Sequence, residues 1–553
     1  MKNIFIILAT IAIFLTSCEK YLDKQPLDSP TAVNFPKNES ELEMAVTGCY
    51  NSLWLEWQGE LPFVLGLDLV SDIGWSRDGD DMQAVGKGLT NPDNQYTDSF
   101  WSNSYRGIGR CNFILAQTDL SSKVSADKYN ELTAEVRFLR AYYYSIINEL
   151  FGGVPLVTKP VELSESQMPR STKDQVTDFI LSELDAAANY LPTTANGQDK
   201  GKATKGAALA LKSRIALYNG RWSVAAQAAK NIMDMQVYSL YNNYGDLFLY
   251  KGQDASEIIF TVQYKKGVHT SSVAADFYSR KAMGFSNRIP VQSLVDSYEC
   301  IDGLSIDKSP LFDPANPFEN RDPRLGFTVV LPQSLFINYI FESNRDSLMT
   351  WDYNFNPPIR TSNRDATNAY ATFSGYLWRK YADVADNVDK YNSEIDPILF
   401  RYAEVLLNYA EAKIEANDID QSVYDAINAV RTRPSVNMPP IAFGKTQIEL
   451  RNIIRKERKY ELSCEGFRLL DIRRWNIADM VMPVNLLGRI PTGYLSNAPV
   501  IDEIGTPDYT SVANENLMRV IEVRLFDKSK NYLWPIPRLE LEVNKALVQN
   551  PNY

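Results

Sequence analysis

Arg401-Tyr402-Ala403-Glu404-Val405-Leu406-Leu407-Asn408-Tyr409-Ala410-Glu411-Ala412 is the stretch whose reading decides the fold class of this chain. Tyr402, Leu406, Tyr409 and Ala410 recur at helical spacing, Asn417-Asp418 interrupts them, and Ala426, Ile427 and Val430 resume the pattern. An earlier stretch has the same plan. There Ala208, Leu211, Ile215 and Tyr218 precede Asn219-Gly220-Arg221-Trp222, and Ala225, Ala226 and Ala229 follow. Large residues on the first helix and alanines on the second let two helices approach closely. This is a tetratricopeptide-like pattern, in which each hairpin leaves a face for its neighbour to cover. The spacing predicts a mainly α protein.

Further helices are expected on both flanks. Residues 39–57 place Leu42, Ala45, Val46, Cys49, Tyr50 and Leu53 on one face. A polar, Gly- and Asp-rich loop follows from Asp72 to Asp98, then helical patterns over 100–115, 127–151 and 171–191. The second of these is closed by Gly152-Gly153-Val154-Pro155, a glycine C-cap followed by proline. From about 240 to 398 the periodicity fades among Asp313-Pro314, Asn316-Pro317, Asp322-Pro323 and Pro357-Pro358. A structureless segment of that length is unusual in a compact domain. Short strands and small helices packed on the repeats are therefore expected, making an irregular α+β insert in one body over 39–553.

The N-terminus predicts export. Lys2 precedes an apolar run from Ile4 to Leu15, shorter than the about 20 residues that span a bilayer. Leu15-Thr16-Ser17-Cys18 then resembles the bacterial lipobox, with residues 1–17 a signal peptide, Cys18 the lipidated residue and 18–38 a tether. A net charge of -11 argues against nucleic acid, which asks for concentrated Lys and Arg. Cys49, Cys111, Cys300 and Cys464 lie far apart without CxxC spacing, so buried free thiols are expected rather than zinc or a disulfide framework.

An ordered set of motifs is similar to one known family. It begins with Cys18-Glu19-Lys20-Tyr21-Leu22-Asp23, Trp101 through Tyr105 to Asn112, Ala134-Glu135-Val136-Arg137-Phe138-Leu139-Arg140-Ala141-Tyr142-Tyr143 and Phe151-Gly152-Gly153-Val154-Pro155. It continues with the 401–412 stretch, Ile427-Asn428-Ala429-Val430-Arg431, Glu457-Arg458-Lys459-Tyr460-Glu461-Leu462, Glu465-Gly466-Phe467-Arg468 and Asp471-Ile472-Arg473-Arg474-Trp475. Leu533-Trp534-Pro535-Ile536-Pro537 and Gln549-Asn550-Pro551-Asn552-Tyr553 close it. The chain thus resembles the SusD/RagB family of outer-membrane nutrient-binding lipoproteins along nearly its whole length. The resemblance implies a superhelical core of tetratricopeptide-like hairpins with an irregular ligand-binding part. It also implies a role at the cell exterior: capturing a glycan or other nutrient and handing it to a SusC-like TonB-dependent transporter. The membrane is then reached through the lipid anchor. The alternative is a helical-repeat scaffold that binds a peptide or protein. Bottom-up, Glu135, Arg137 and Arg140, and Arg455, Glu457, Arg458 and Glu461, have the spacing of ion pairs along or between helices.

The catalytic motifs fail, so no enzyme and no cofactor are expected. His269 is the sole histidine, which excludes HExxH, and an exposed loop position is the simplest reading of it. Gly444-Lys445-Thr446 has Pro439 where a P-loop needs its first glycine. Asp418 and Asp420 would suit a calcium loop, but Ala429 stands where a bidentate glutamate is required. Glycan binding asks instead for aromatic faces and convergent polar groups. Two regions supply both: Trp75, Arg77, Asp80 and Asp81 in the first loop, and Tyr278, Trp351 and Tyr353, with Phe355, in the insert. Asp78, Asp80 and Asp81 read by default as solvated charge rather than a cation site, and no metal is expected.

Overall fold

A computed structural model describes residues 35–58, 61–195, 197–482 and 484–553. The expected signal peptide, Cys18 and the tether as far as residue 34 lie outside them. Helices α1 (Glu39–Tyr50), α2 (Gln95–Leu115), α3 (Ala126–Phe151), α4 (Lys173–Ala188), α5 (Lys205–Tyr218) and α6 (Trp222–Met235) form the first flank. Helices α7 (Tyr402–Glu415), α8 (Gln421–Arg431) and α9 (Gln447–Leu462) form the second. Each packs on the next: α2 on α3, α3 on α4, α4 on α5, and α5 on α6. The stack then passes from α6 directly to α7, which also touches α8 and α9. The long insert is thus an excursion that leaves one helix of the array and returns beside it.

Local chemistry places the ends of these helices. Thr172 with Gln175, and Thr446 with Glu449, form capping boxes that satisfy the first free N–H groups of α4 and α9. Asp420 caps α8, and with Asp418 it also holds Lys413 of α7, so this acidic pair serves a helix hairpin. After α3, Gly152 takes φ of 75°, and Gly153 lies against the chain at Ser171 and Lys173.

The insert carries strands, as expected of a segment this long. Strand β1 (Gly74–Ser76) belongs to the early loop and pairs antiparallel with β3 (Arg288–Pro290), Trp75 facing Ile289. Strand β2 (Ile258–Thr261) pairs antiparallel with β8 (Ile398–Arg401), which ties the two ends of the excursion together just before α7. Strands β4 (Ser334–Phe336), β5 (Tyr339–Phe341), β6 (Met349–Asp352) and β7 (Ile359–Ser362) make an antiparallel meander. One apolar cluster runs through all of this, from Leu42 to Leu547. Cys49, Cys111, Cys300 and Cys464 are buried and free. No helix of the described residues is long and apolar enough to cross a membrane.

Candidate ligand-binding site

The structure divides the sequence-predicted site residues into two groups. Trp75 is 2% exposed. Its indole N–H donates to Glu522 Oε2 at 2.9 Å, and its ring stacks on Phe373 with centroids 5.3 Å apart. It is a core residue, because segments far along the chain cover the loop that carries it. Tyr278 is likewise fully buried, its hydroxyl donating to the Asp383 carbonyl. Neither ring has a face to offer a sugar, which corrects the expectation for both. Asp80 is the N-cap of the short helix Asp81–Gly86: one oxygen takes the Gln83 N–H at 3.0 Å, the other the Trp57 indole at 2.7 Å. Asp81 takes the backbone N–H of Gln95, at 2.7 Å, where α2 begins. These carboxylates hold the loop in shape, so the structure gives them positioning roles in place of the expected ligand contact.

Arg77, Trp351 and Tyr353 reach the surface differently. Strand β6 alternates as its two-residue period demands, with Thr350 and Asp352 inside and Trp351 outside at 41% exposure. Arg360 faces Trp351 across the strand pair and lies 5.3 Å from its ring. Tyr353 and Phe355 continue the exposed edge beyond the strand. Arg77 follows β1 and donates to the Tyr370 carbonyl at 2.7 Å and the Phe285 carbonyl at 3.1 Å. Arg280 donates to the same Tyr370 carbonyl at 2.9 Å.

Two guanidinium groups therefore converge beneath one exposed tyrosine. Tyr370 is 63% exposed, with its ring 5.5 Å from the Arg77 guanidinium and 5.9 Å from that of Arg280. Burial lowers the pKa of both arginines, and for Arg280 the neighbouring Arg77 charge adds to it. Phe285 and the exposed Tyr391 extend the patch, 6.0 Å between ring centroids. Sequence reasoning missed Tyr370, Tyr391, Phe285 and Arg280. Two of them carried the same signal as Trp351, an aromatic in a polar stretch: Asn368-Ala369-Tyr370 and Lys390-Tyr391-Asn392. Among the described residues no hydrogen bond or ring contact joins Trp351 to this patch. The two are bridged by Lys281, which follows Arg280 and donates to Thr361 of β7 at 2.9 Å.

His269 corrects another expectation. It lies in a tight loop but is packed there, stacked between Trp54 at 4.3 Å and Tyr264 at 5.5 Å, with both oxygens of Glu56 2.9 Å from Nε2. The ion-pair spacing in the shared motifs connects helices and loops rather than ligands. Arg140 of α3 reaches Glu183 of α4 at 2.9 Å, and Arg458 of α9 reaches Asp471 at 2.9 Å. Glu135 departs from that expectation: its partner is the Tyr50 hydroxyl, at 2.6 Å.

Comparison with known proteins accounts for these motifs. The description "SusD family" matches residues 256–553, and "Starch-binding associating with outer membrane" matches residues 20–217. The chain belongs to the SusD family. SusD-like protein P25 of Formosa agariphila is 25% identical, covering 97% of this chain and 95% of its own. A SusD-like carbohydrate-binding protein of Bacteroides fragilis, solved by crystallography, is 29% identical with a TM-score of 0.79, over 92% of this chain and 99% of its own. Surface glycan-binding protein A of Bacteroides thetaiotaomicron, solved with laminarihexaose, shares the fold at 20% identity and a TM-score of 0.69, over 94% and 100%. The mainly α SusD architecture, with helical hairpins around an irregular insert, is thus the fold of this chain.

Proposed function

We propose that this SusD-family protein is a cell-surface glycan-binding lipoprotein, anchored through Cys18, that captures oligosaccharide and hands it to a SusC-like TonB-dependent transporter. The observation that carries the reading is the Tyr370 ring, exposed and backed by two guanidinium groups, in a chain whose 29%-identical relative is described as carbohydrate-binding. Sugar C–H faces stack on aromatic rings, and guanidinium groups give fixed donors to ring hydroxyls. Trp351 and Tyr353 supply a second stacking edge for a chain longer than one residue. This reading is of binding rather than catalysis; it is supported by the 29%-identical relative described as carbohydrate-binding, and the one histidine is held in a ring stack with Glu56 on its Nε2.

Calorimetry against soluble glycans tests the reading. Tyr370→Ala leaves the backbone carbonyl that anchors Arg77 in place, so the fold is kept and affinity should fall about tenfold, near 1.4 kcal/mol. Trp351→Ala should cost ~1 kcal/mol for long oligosaccharides and less for short ones. Unchanged affinity in both variants would reject the patch. Cys18→Ala should release the protein from membranes into the soluble fraction, and retention there would reject the anchor. Purification from native outer membranes should bring down a large β-barrel partner.

A further inference from the structure

A pocket separate from the surface patch lies beside helix α1. Helix α1, the first half of α3, residues 199–202 and the end of β2 with its following hairpin line an open-mouthed pocket of about 600 Å³. That lies within the range of about 300–1,000 Å³ typical of small-molecule sites. The patch residues do not line it. Val46, Leu132, Val262 and the Trp54 indole give it apolar surface, and Asn51, Gln263 and Glu135 give it polar groups.

Charge sets the class of ligand. Each ammonium group at the cavity has its own carboxylate: Lys128 with Glu43 at 3.0 Å, Lys200 with Asp254, and Lys202 with Asp199 at 2.6 Å. A strongly ionic ligand would have to displace one of these pairs. Glu135 is 2% exposed, and its Oε2 takes the Tyr50 hydroxyl at 2.6 Å, while Tyr50 in turn accepts the Ala203 N–H at 2.8 Å. Among the described residues no donor reaches Glu135 Oε1. Burial raises this carboxyl to about 7, so it is not a strong counter-charge at neutral pH. An open carboxyl oxygen on a wall of mixed apolar and amide groups, with its charges paired, suits a neutral ligand bearing hydroxyl groups on a compact carbon frame, because a hydroxyl can give a hydrogen bond to the carboxylate or take one from the carboxyl.

We propose that this pocket is a second carbohydrate site, holding one neutral sugar or a disaccharide, with Glu135 Oε1 hydrogen-bonded to a ring hydroxyl and Trp54 and the aliphatic wall covering the C–H face. The choice of a sugar among neutral polyhydroxyl compounds rests on the glycan reading above; the pocket and its open carboxyl oxygen do not.

Saturation-transfer NMR with maltose, laminaribiose and cellobiose tests it, on the mature chain carrying Tyr370→Ala and Trp351→Ala. Disaccharide signals should persist there, and should weaken about tenfold when Glu135→Leu removes the hydrogen-bonding oxygen. They should vanish with Val268→Trp, which places a bulky ring at an exposed lining position, 70% accessible, without touching the core. If the patch substitutions alone abolish every sugar signal, the second site is wrong and the glycan reading stands. If the signals respond only to Glu135 and Val268, and the patch substitutions leave polymer affinity unchanged, the cavity stands and the patch is wrong. Signals indifferent to both cavity substitutions overturn the inference.

Discussion

Glu135 shows how one residue can follow a family motif and still carry a separate charge problem. Burial moves its carboxyl from an ordinary 4.5 to about 7, and the Tyr50 hydroxyl only partly opposes this. The folded state therefore holds the proton more tightly than the unfolded chain does. The stabilisation is complete below the unfolded value and is lost as pH rises through about 7. Over that window the residue should remove about 3 kcal/mol of stability. Glu135→Gln should flatten this part of the pH profile, measured by urea denaturation between acid and neutral pH; an unchanged slope would mean the group is solvated. At the same scale, Trp75 and Trp351 have equal claims from their sequence neighbourhoods. What separates them is cover: Phe373 and Glu522 close over the first, whereas Trp351 points outward from an edge hairpin.

Elements are set by local chemistry, and the turn after α3 shows two kinds of glycine constraint side by side. Gly152 needs its backbone freedom, at φ of 75°, but a Cβ there would meet side-chain atoms at 3.2 Å or beyond. Gly153 has no such φ, yet a Cβ would lie 2.1 Å from the Ser171 carbonyl and 2.9 Å from the Lys173 N–H at the start of α4. Gly152→Ala should therefore cost about 1–3 kcal/mol, almost all of it backbone strain, because φ of 75° with ψ of -152° is a conformation essentially confined to glycine. Gly153→Ala should cost more, about 3 kcal/mol or above, because a 2.1 Å overlap with backbone forces the start of α4 to move. Thermal denaturation of the two variants would rank them, and the reverse order would refute the close-approach account. The glycines, the capping boxes and the helical period are readable from neighbouring residues. The strands of the insert are not, being two to four residues long, too short to show an alternating period, and several pair with partners far along the chain, as β1 does with β3 and β2 with β8.

The whole molecule depends on buried ion pairs that join the insert to the second helical flank. Arg401, where β8 runs into α7, reaches Glu257 and Glu461 at 2.8 Å and Glu465 at 2.6 Å, and all four are buried. Burial alone would raise the Glu461 carboxyl, but Arg433, Arg401 and Arg324 outweigh it and bring it down to about 2. Its stabilisation is therefore present above the ordinary 4.5 and lost as pH falls toward 2. Arg401→Met should cost about 3–5 kcal/mol by leaving carboxylates buried without a partner, and should weaken this acid dependence. A shift of the urea midpoint matching under about 1 kcal/mol would show the network to be hydrated. By itself the sequence determined the helical hairpins, their caps and the family pattern, because periodicity and capping act between residues a few positions apart. Only the tertiary structure decided which aromatics are free and that α6 returns to α7. The reason is physical: exposure is fixed by whatever lies across the surface, and for Trp75 that partner, Glu522, is 447 residues away along the chain.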